Sequence, residues 1–295
     1  MVFQEVCELR ASESNRTVDL RIVERNVRIR CPDHRLGDWV QQTFRAMEAP
    51  LEDQRLIDLE IVVKLSVDDG EYRIQRPREE PIRAAEAGEC LVLLDDVLII
   101  ELQLLRQDLF FIHAAALQQE DGVLLLCGES GSGKSSLAWA LTRRGFKYLS
   151  DELAPVDIDG IRVLPFPRAL RLKEEPPPPN TLPAVALDTG GAYCIPAEHL
   201  PGGIATLPAP VSAVFFLQRP PAASRPVVRE LTLAHSVARL AANALNLLAH
   251  PNYGVDRATE IVRNGLCFEL GAADLEATCD LVQSTLATLR PPATP

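Results

Sequence analysis

At 295 residues, with 47% hydrophobic and 24% charged side chains, the chain has a globular composition and room for one large or two modest domains. Its net charge of −11 argues against nucleic acid or an anionic membrane as a bulk partner. No apolar run approaches the roughly 18 residues of a membrane span, and the N-terminus lacks a basic-then-apolar signal, so a cytoplasmic location is expected. The seven cysteines (Cys7, Cys31, Cys90, Cys127, Cys194, Cys267 and Cys279) form no C-x-x-C pair. They read as reduced, buried thiols, not as a disulfide framework or a zinc site.

Residues 1–107 carry no chemical motif and read as an α+β region. Thr17 to Val23 and Val27 to Arg30 alternate as two strands, with Arg25-Asn26 as a tight turn. Leu36 to Met47 has the spacing of an amphipathic helix stopped by Pro50. Leu59 to Val67 and Tyr72 to Gln75 read as a hairpin around Asp68-Asp69-Gly70. Beyond Pro77 and Pro81, Cys90 to Leu94 reads as a strand and Asp96 to Leu105 as a helix. The region is either a separate partner-recognition lobe or a sheet extension of residues 108–295.

Leu109 to Leu117 is an apolar run interrupted once, by His113. With the run at 122–126 it reads as a hairpin feeding the stretch that follows. His113 is either a satisfied core histidine or a ring placed beside phosphates. Gly128, Glu129, Ser130, Gly131, Ser132, Gly133, Lys134 and Ser135 then match G-x-x-x-x-G-K-[ST] in full, with Ser136 next. Main-chain N–H groups can wrap a phosphate chain only where no Cβ intervenes and φ can be positive, hence the three glycines. Lys134 suits the β/γ-phosphates of a nucleoside triphosphate and the Ser135 hydroxyl suits Mg²⁺. The apolar run before the motif predicts a strand. After it, Ser135 to Arg144 predicts a helix with Leu137, Ala140 and Leu141 on one face and Gly145 as its stop.

Phe146 to Glu152 turns back at once. A helix of about ten residues spans roughly 15 Å, the length of four or five strand residues. A right-handed crossover then lays this strand beside the phosphate-loop strand, bringing Asp151 and Glu152 out near Lys134 and Ser135.

Phe111-Ile-His-Ala-Ala-Ala-Leu, the loop from Gly122 to Ser135, and Arg143-Arg-Gly-Phe-Lys-Tyr-Leu-Ser-Asp-Glu together resemble the catalytic core of HPr serine kinase/phosphorylases. More closely they resemble the kinase-only relatives, among them kinases of ribosomally made precursor peptides. The match covers about residues 109–155. The resemblance implies an α/β fold with a P-loop, phosphoenolpyruvate carboxykinase-like kinase core and an N-terminal α+β region. It implies ATP and Mg²⁺ as cofactors, and a protein or peptide bearing Ser or Thr as substrate. Carried over, His113 sits by the transferred phosphate and Asp151 is the base facing the substrate hydroxyl. Glu152 takes the place of a second acid that is usually aspartate, so Ser135, Asp151 and Glu152 form the metal set. Ala114 stands where the bifunctional enzymes carry glycine, and their second glycine-rich signature is not visible after residue 155. Kinase activity without efficient phosphorolysis is therefore expected. Related enzymes are often multimeric, so a homo-oligomer falls within the expectation.

Arg168, Arg171 and Lys173 lie in a proline-punctuated segment with a Pro-Arg-x-x-x-Leu stretch similar to one in the kinase-only relatives. Arg168 or Arg171 is the candidate for stabilising charge on a transferring phosphoryl group, with surface salt bridging as the alternative. Glu174 to Pro183 reads as an exposed polyproline II loop, either a mobile lid or peptide-docking loop, or a plain linker. Asp188 to Pro210 reads as loops with a short strand near Tyr193, and Ala213 to Leu217 as a buried strand. Leu233 to His250 reads as one helix with Leu233, Val237, Leu240, Ala244 and Leu248 on its core side. Ser236, Arg239, Asn243, Asn246 and His250 form its polar stripe, a solvated or a substrate-facing surface. A strand at Leu266 to Leu270 and a helix from Asp274 to Leu289, ended by Pro291 before a disordered tail, complete the chain.

A small-molecule kinase would use the same residues with a different acceptor pocket. A nucleotide-sensing module would bind without transfer. A transporter-type ATPase needs a Ser-Gly-Gly-Gln signature that the sequence lacks.

Overall fold

The computed structural model describes residues 15–49, 56–76, 79–218 and 225–288. Cys7, Pro50, Pro77 and the helix end and tail read at Leu289 and Pro291 lie outside them. The described residues form a mixed α/β fold with three sheets. No helix among the described residues is long and apolar enough to cross a membrane.

The first sheet holds β1 (Arg16–Ile22), β2 (Arg25–Cys31), β3 (Leu59–Leu65), β4 (Tyr72–Arg76) and β5 (Glu79–Ala84), in that spatial order. Its neighbours are antiparallel except β2 and β3, which run parallel across α1 (His34–Phe44). The side chains on one face alternate inward and meet α1 and α2 (Ala87–Leu105) in one core. The β1–β2 turn is Val23-Glu24, both at positive φ, because the register sets Ile22 opposite Arg25 and leaves two residues for a tight loop. The expected turn at Arg25-Asn26 is thus displaced. The strand expected at Cys90 to Leu94 is part of α2, since Cys90, Leu91, Leu94, Val97, Leu98 and Leu102 are buried at helical spacing. Pro81 hides β5 in the sequence, yet β5 lies at a sheet edge, where proline is tolerated.

The second part begins with β6 (Leu109–Ile112), β7 (Ala114–Gln119) and β8 (Gly122–Cys127). α3 (Lys134–Thr142), β9 (Lys147–Ser150), β10 (Ala154–Asp157) and β11 (Arg162–Val163) follow. β12 (Leu170–Leu172), β13 (Leu187–Asp188) and β14 (Tyr193–Ile195) make a small separate sheet. Then come β15 (Ala209–Gln218), β16 (Val227–Glu230), α4 (Leu233–Ala242), α5 (Val255–Asn264), β17 (Leu266–Gly271) and α6 (Leu275–Thr288). β8, β15 and β17 run parallel side by side, and β7 closes an antiparallel hairpin onto β8. Alternate residues of β7 and β8 pack in opposite directions. Ala115, Leu117, Leu124 and Leu126 meet α3 and α6, whereas Ala114, Ala116, Val123 and Leu125 join the core of α4 and α5. Burial on both faces is why these strands read as unbroken apolar runs.

β9 does not lie beside β8. β7 stands between them, antiparallel to both, so β9 runs parallel to β8 one place further out. The short β7–β8 connection fills that neighbouring position first. The run at 109–117 breaks at His113: β6 pairs with β10 while β7 pairs with β8 and β9. Leu109 and Phe111 turn into the core of the first sheet together with Leu153 and Phe166, so the two parts share apolar packing.

The helix expected over Leu233 to His250 stops at Ala242. Asn243 accepts the His113 N–H (2.7 Å) through its carbonyl, and Ala244 bridges Ile112. The Asn246 side chain accepts the Phe111 N–H (3.0 Å) and donates to the Leu109 carbonyl (2.8 Å). The edge of β6 thus captures this segment; Leu233 and Leu248, placed on the core side by periodicity, are both exposed. The six described cysteines are buried and unpaired.

Candidate functional site

β8 ends at Cys127 and hands the chain to the glycine loop, whose Gly131 and Gly133 have φ of 81° and 99°. Gly133 is the N-cap of α3, a left-handed position that a Cβ would strain. The first N–H groups of the helix, which have no intrahelical partner, are therefore aimed back at the loop. Lys134 is buried, and its ammonium donates to the Gly128 carbonyl (2.7 Å) and the Glu129 carbonyl (3.2 Å). Burial draws its pKa down, against the charges of Glu152 and Asp151 nearby. At its far end α3 ends at Thr142, and Gly145, at positive φ, closes the following turn, with Gly145 and Phe146 donating to the Thr142 and Leu141 carbonyls.

Asp151 and Glu152 follow β9 at the same sheet edge. Asp151 is fully buried, takes the Arg171 main-chain N–H (3.3 Å), and has the Ser135 hydroxyl beside it. Burial raises its carboxyl above the usual carboxylate value and Glu152 adds to that, while Arg168 opposes it. Glu152 reaches the other way, with Oε2 2.8 Å from His113 Nε2. Although burial pulls Glu152 upward, the His113 hydrogen bond and the Arg168 charge hold it down at about 2. His113 is therefore neither a core histidine nor isolated, because it faces the cleft and the second acid.

Arg168 is sealed from solvent, not set at the mouth, and its Nη1 lies 2.9 Å from Asp95 Oδ2. Arg171 reaches the same Asp95 oxygen at 3.1 Å. Neither arginine makes the surface salt bridge considered as the bland alternative. Lys173 donates to Ser130 Oγ at 3.1 Å and so stands over the loop. The Glu174–Pro183 segment is tied down, since Asn180 accepts the Trp139 indole N–H (2.8 Å) and donates to Glu276 (2.6 Å).

A cleft of about 880 Å³ opens beside the loop, bounded by His113, Glu129, Phe216, Gln218, Arg239 and Asn243. Phe216 and Gln218 come from the C-terminal end of β15, the edge where ligands of open α/β sheets bind. The polar stripe expected on one helix is thus divided. Arg239 and Asn243 line the cleft, Ser236 caps back to Thr232, and Asn246 and His250 serve β6. Arg239 also pairs with Glu269 on β17. Ser135, Asp151 and Glu152 are oxygen donors of the kind Mg²⁺ takes when most of its shell is phosphate and water. Asp95 escaped sequence reasoning; the acidic pair Asp95-Asp96 within Cys90 to Leu105 was visible, but nothing in the sequence marked Asp95 as the buried one.

No family model matches the chain, and no curated protein matches it in sequence. Among solved structures, the HPr(Ser) kinase/phosphatase from Coxiella burnetii is similar over 60% of this chain and 97% of its own, at 16% identity and a TM-score of 0.32. That likeness is too distant to decide fold or chemistry.

Proposed function

We propose that the chain is an ATP-dependent kinase that transfers the γ-phosphate to a serine or threonine hydroxyl of a protein or peptide. One observation carries this reading: a buried carboxylate, Asp151, emerges from β9 at the sheet edge where β8 hands the chain to the glycine loop. A neutral hydroxyl is a poor nucleophile, and a positioned base that takes its proton contributes about 10²–10⁴ in rate. The raised carboxyl of Asp151 suits it to accept that proton. The Lys134 ammonium and the loop N–H groups would bind the phosphate oxygens, and His113 would be fixed by Glu152 at the phosphate side of the cleft. Mg²⁺, when bound, would neutralise charge on the phosphates, held by Ser135, Asp151 and Glu152. With Ala114 after His113, efficient phosphorolysis is not expected.

The test is incubation with radiolabelled ATP, Mg²⁺ and a library of Ser/Thr peptides, followed by phosphopeptide mass spectrometry. Transfer that disappears in Asp151→Asn supports the reading. Labelling of small alcohols alone would make it a small-molecule kinase. Tight ATP binding without transfer would leave a nucleotide sensor.

A further inference from the structure

The ion network behind Asp151 does not belong to the second part of the chain alone. Asp95 lies on α2, in the N-terminal region, and is 1% exposed, while Arg168 is wholly buried. Charges so deeply buried are tolerated only when paired. We propose that Asp95 is a positioning residue of the transfer site, its carboxylate holding Arg168 at 2.9 Å and Arg171 at 3.1 Å so that neither guanidinium closes onto Asp151. This rests on the kinase reading above, with Asp151 as the proton acceptor.

Three features carry it. First, one Asp95 oxygen, Oδ2, faces both arginines, hydrogen-bonded to Arg171 and at ion-pair distance from Arg168, so a single side chain neutralises two positive charges. Second, Asp151 and Arg168 attract one another, yet the carboxylate paired with Arg168 among the described residues is Asp95. A guanidinium clamped directly on Asp151 would occupy the oxygens needed to take a proton. Third, Arg171 is held from both ends, its guanidinium on Asp95 and its main-chain N–H on Asp151. Lys134, Glu152 and the hydroxyls of Ser135 and Tyr148 are further charged and polar groups around the acid.

α2 is well seated for this task. A Cβ at Gly88 would meet the Thr189 carbonyl oxygen at 1.9 Å, so the first turn of the helix lies directly on the backbone of the loop after β13. Its apolar face shares a core with Leu153 and Phe166, which flank the acid pair and Arg168 in sequence. The site is therefore incomplete without the N-terminal region, whatever else that region recognises.

The experiment compares wild type with Asp95→Asn, Asp95→Glu and the charge-balanced double variant Asp95→Asn/Arg171→Gln. Melting temperature, Mg·ATP affinity by calorimetry, kcat and KM for the best library peptide, and a crystal structure are measured for each. In Asp95→Asn, ATP affinity and peptide KM stay within roughly threefold while kcat falls by about tenfold or more, and Asp95→Glu recovers most of it. The crystal structure shows an Arg168 nitrogen within about 3.2 Å of Asp151. A folded Asp95→Asn with unchanged kcat, or with Arg168 where it stands in wild type, overturns the assignment. If Asp95→Asn does not fold, the double variant restores the charge balance and is judged by the same two readouts. If wild type phosphorylates no peptide, the kinase reading fails separately. The Arg168 position in the variants then still decides whether Asp95 holds it off Asp151.

Discussion

His113 Nε2 lies 2.8 Å from Glu152 Oε2, a pair separated by 39 residues and brought together by strand register. β7 and β9 are antiparallel with Ala116 opposite Ser150, so the residue before β7 and the residues after β9 meet at one edge. His113→Ala should lower transfer by roughly 10–10²-fold through loss of a fixed group at the phosphate side. The Glu152 carboxyl, held at about 2 in the folded protein, should then titrate at higher pH. Side-chain carbon NMR of Glu152 reads this directly, and an unchanged titration would show that the ring does not hold it.

Lys134 and Asp151 should separate binding from chemistry. Lys134→Ala removes a charge-assisted phosphate contact of about 2 kcal/mol, or roughly 30-fold in Kd for Mg·ATP. Asp151→Asn should leave that Kd within a few-fold while transfer falls about 10²–10⁴-fold. Calorimetry and single-turnover transfer measure the two, and equal losses in both assays from Asp151→Asn would remove it as the base.

Asn246 joins the end of α4 to β6, accepting the Phe111 N–H at 3.0 Å. Asn246→Ala leaves that buried donor unpaired, at a cost of about 1–3 kcal/mol. The melting temperature should drop by several degrees, while Asn246→Gln, which keeps both the amide acceptor and the donor, should lose less. Equal melting of both variants would mean that the segment is held by other contacts.

Trp139 is buried, and its indole N–H is 2.8 Å from the Asn180 carbonyl. Trp139→Phe removes the donor and some packing, together about 1–3 kcal/mol. The proline-rich segment from Glu174 to Pro183 should become more sensitive to limited proteolysis, with ATP affinity unchanged. Unaltered cleavage would show that Asn180 does not anchor it.

Asp19 and Arg28 pair through two hydrogen bonds of 2.7 and 2.8 Å across β1 and β2. The Arg28 hydrogen bond outweighs burial and lowers the Asp19 carboxyl below 3.8. A carboxyl depressed on folding adds stability above its unfolded value, and that stability is lost as pH falls through the folded value. At neutral pH Asp19→Asn should cost about 0.5–1 kcal/mol, and in strong acid its melting temperature should converge with wild type. Parallel curves at every pH would assign the loss to packing instead.

The local elements are legible in the chain because their causes are local. The apolar run at 123–126, the glycines of the loop and the Gly145 stop each act within a few residues, and so does the Asp68-Asp69-Gly70 turn between β3 and β4. The acid pair could be placed at the loop's edge because a short helix and a short strand allow little else. Long-range pairing was not legible. β9 pairs with β7 and not with β8, and Asn243 and Asn246 cut short a helix that its periodicity would continue, because β6 offers their backbone and side chains better partners. Asp95 looks no different from its neighbour Asp96 until the fold sets it 2.9 Å from Arg168, 73 residues away. Periodicity records which face of an element avoids water, but a buried charge is placed by its counter-charge, and that partner can come from anywhere along the chain.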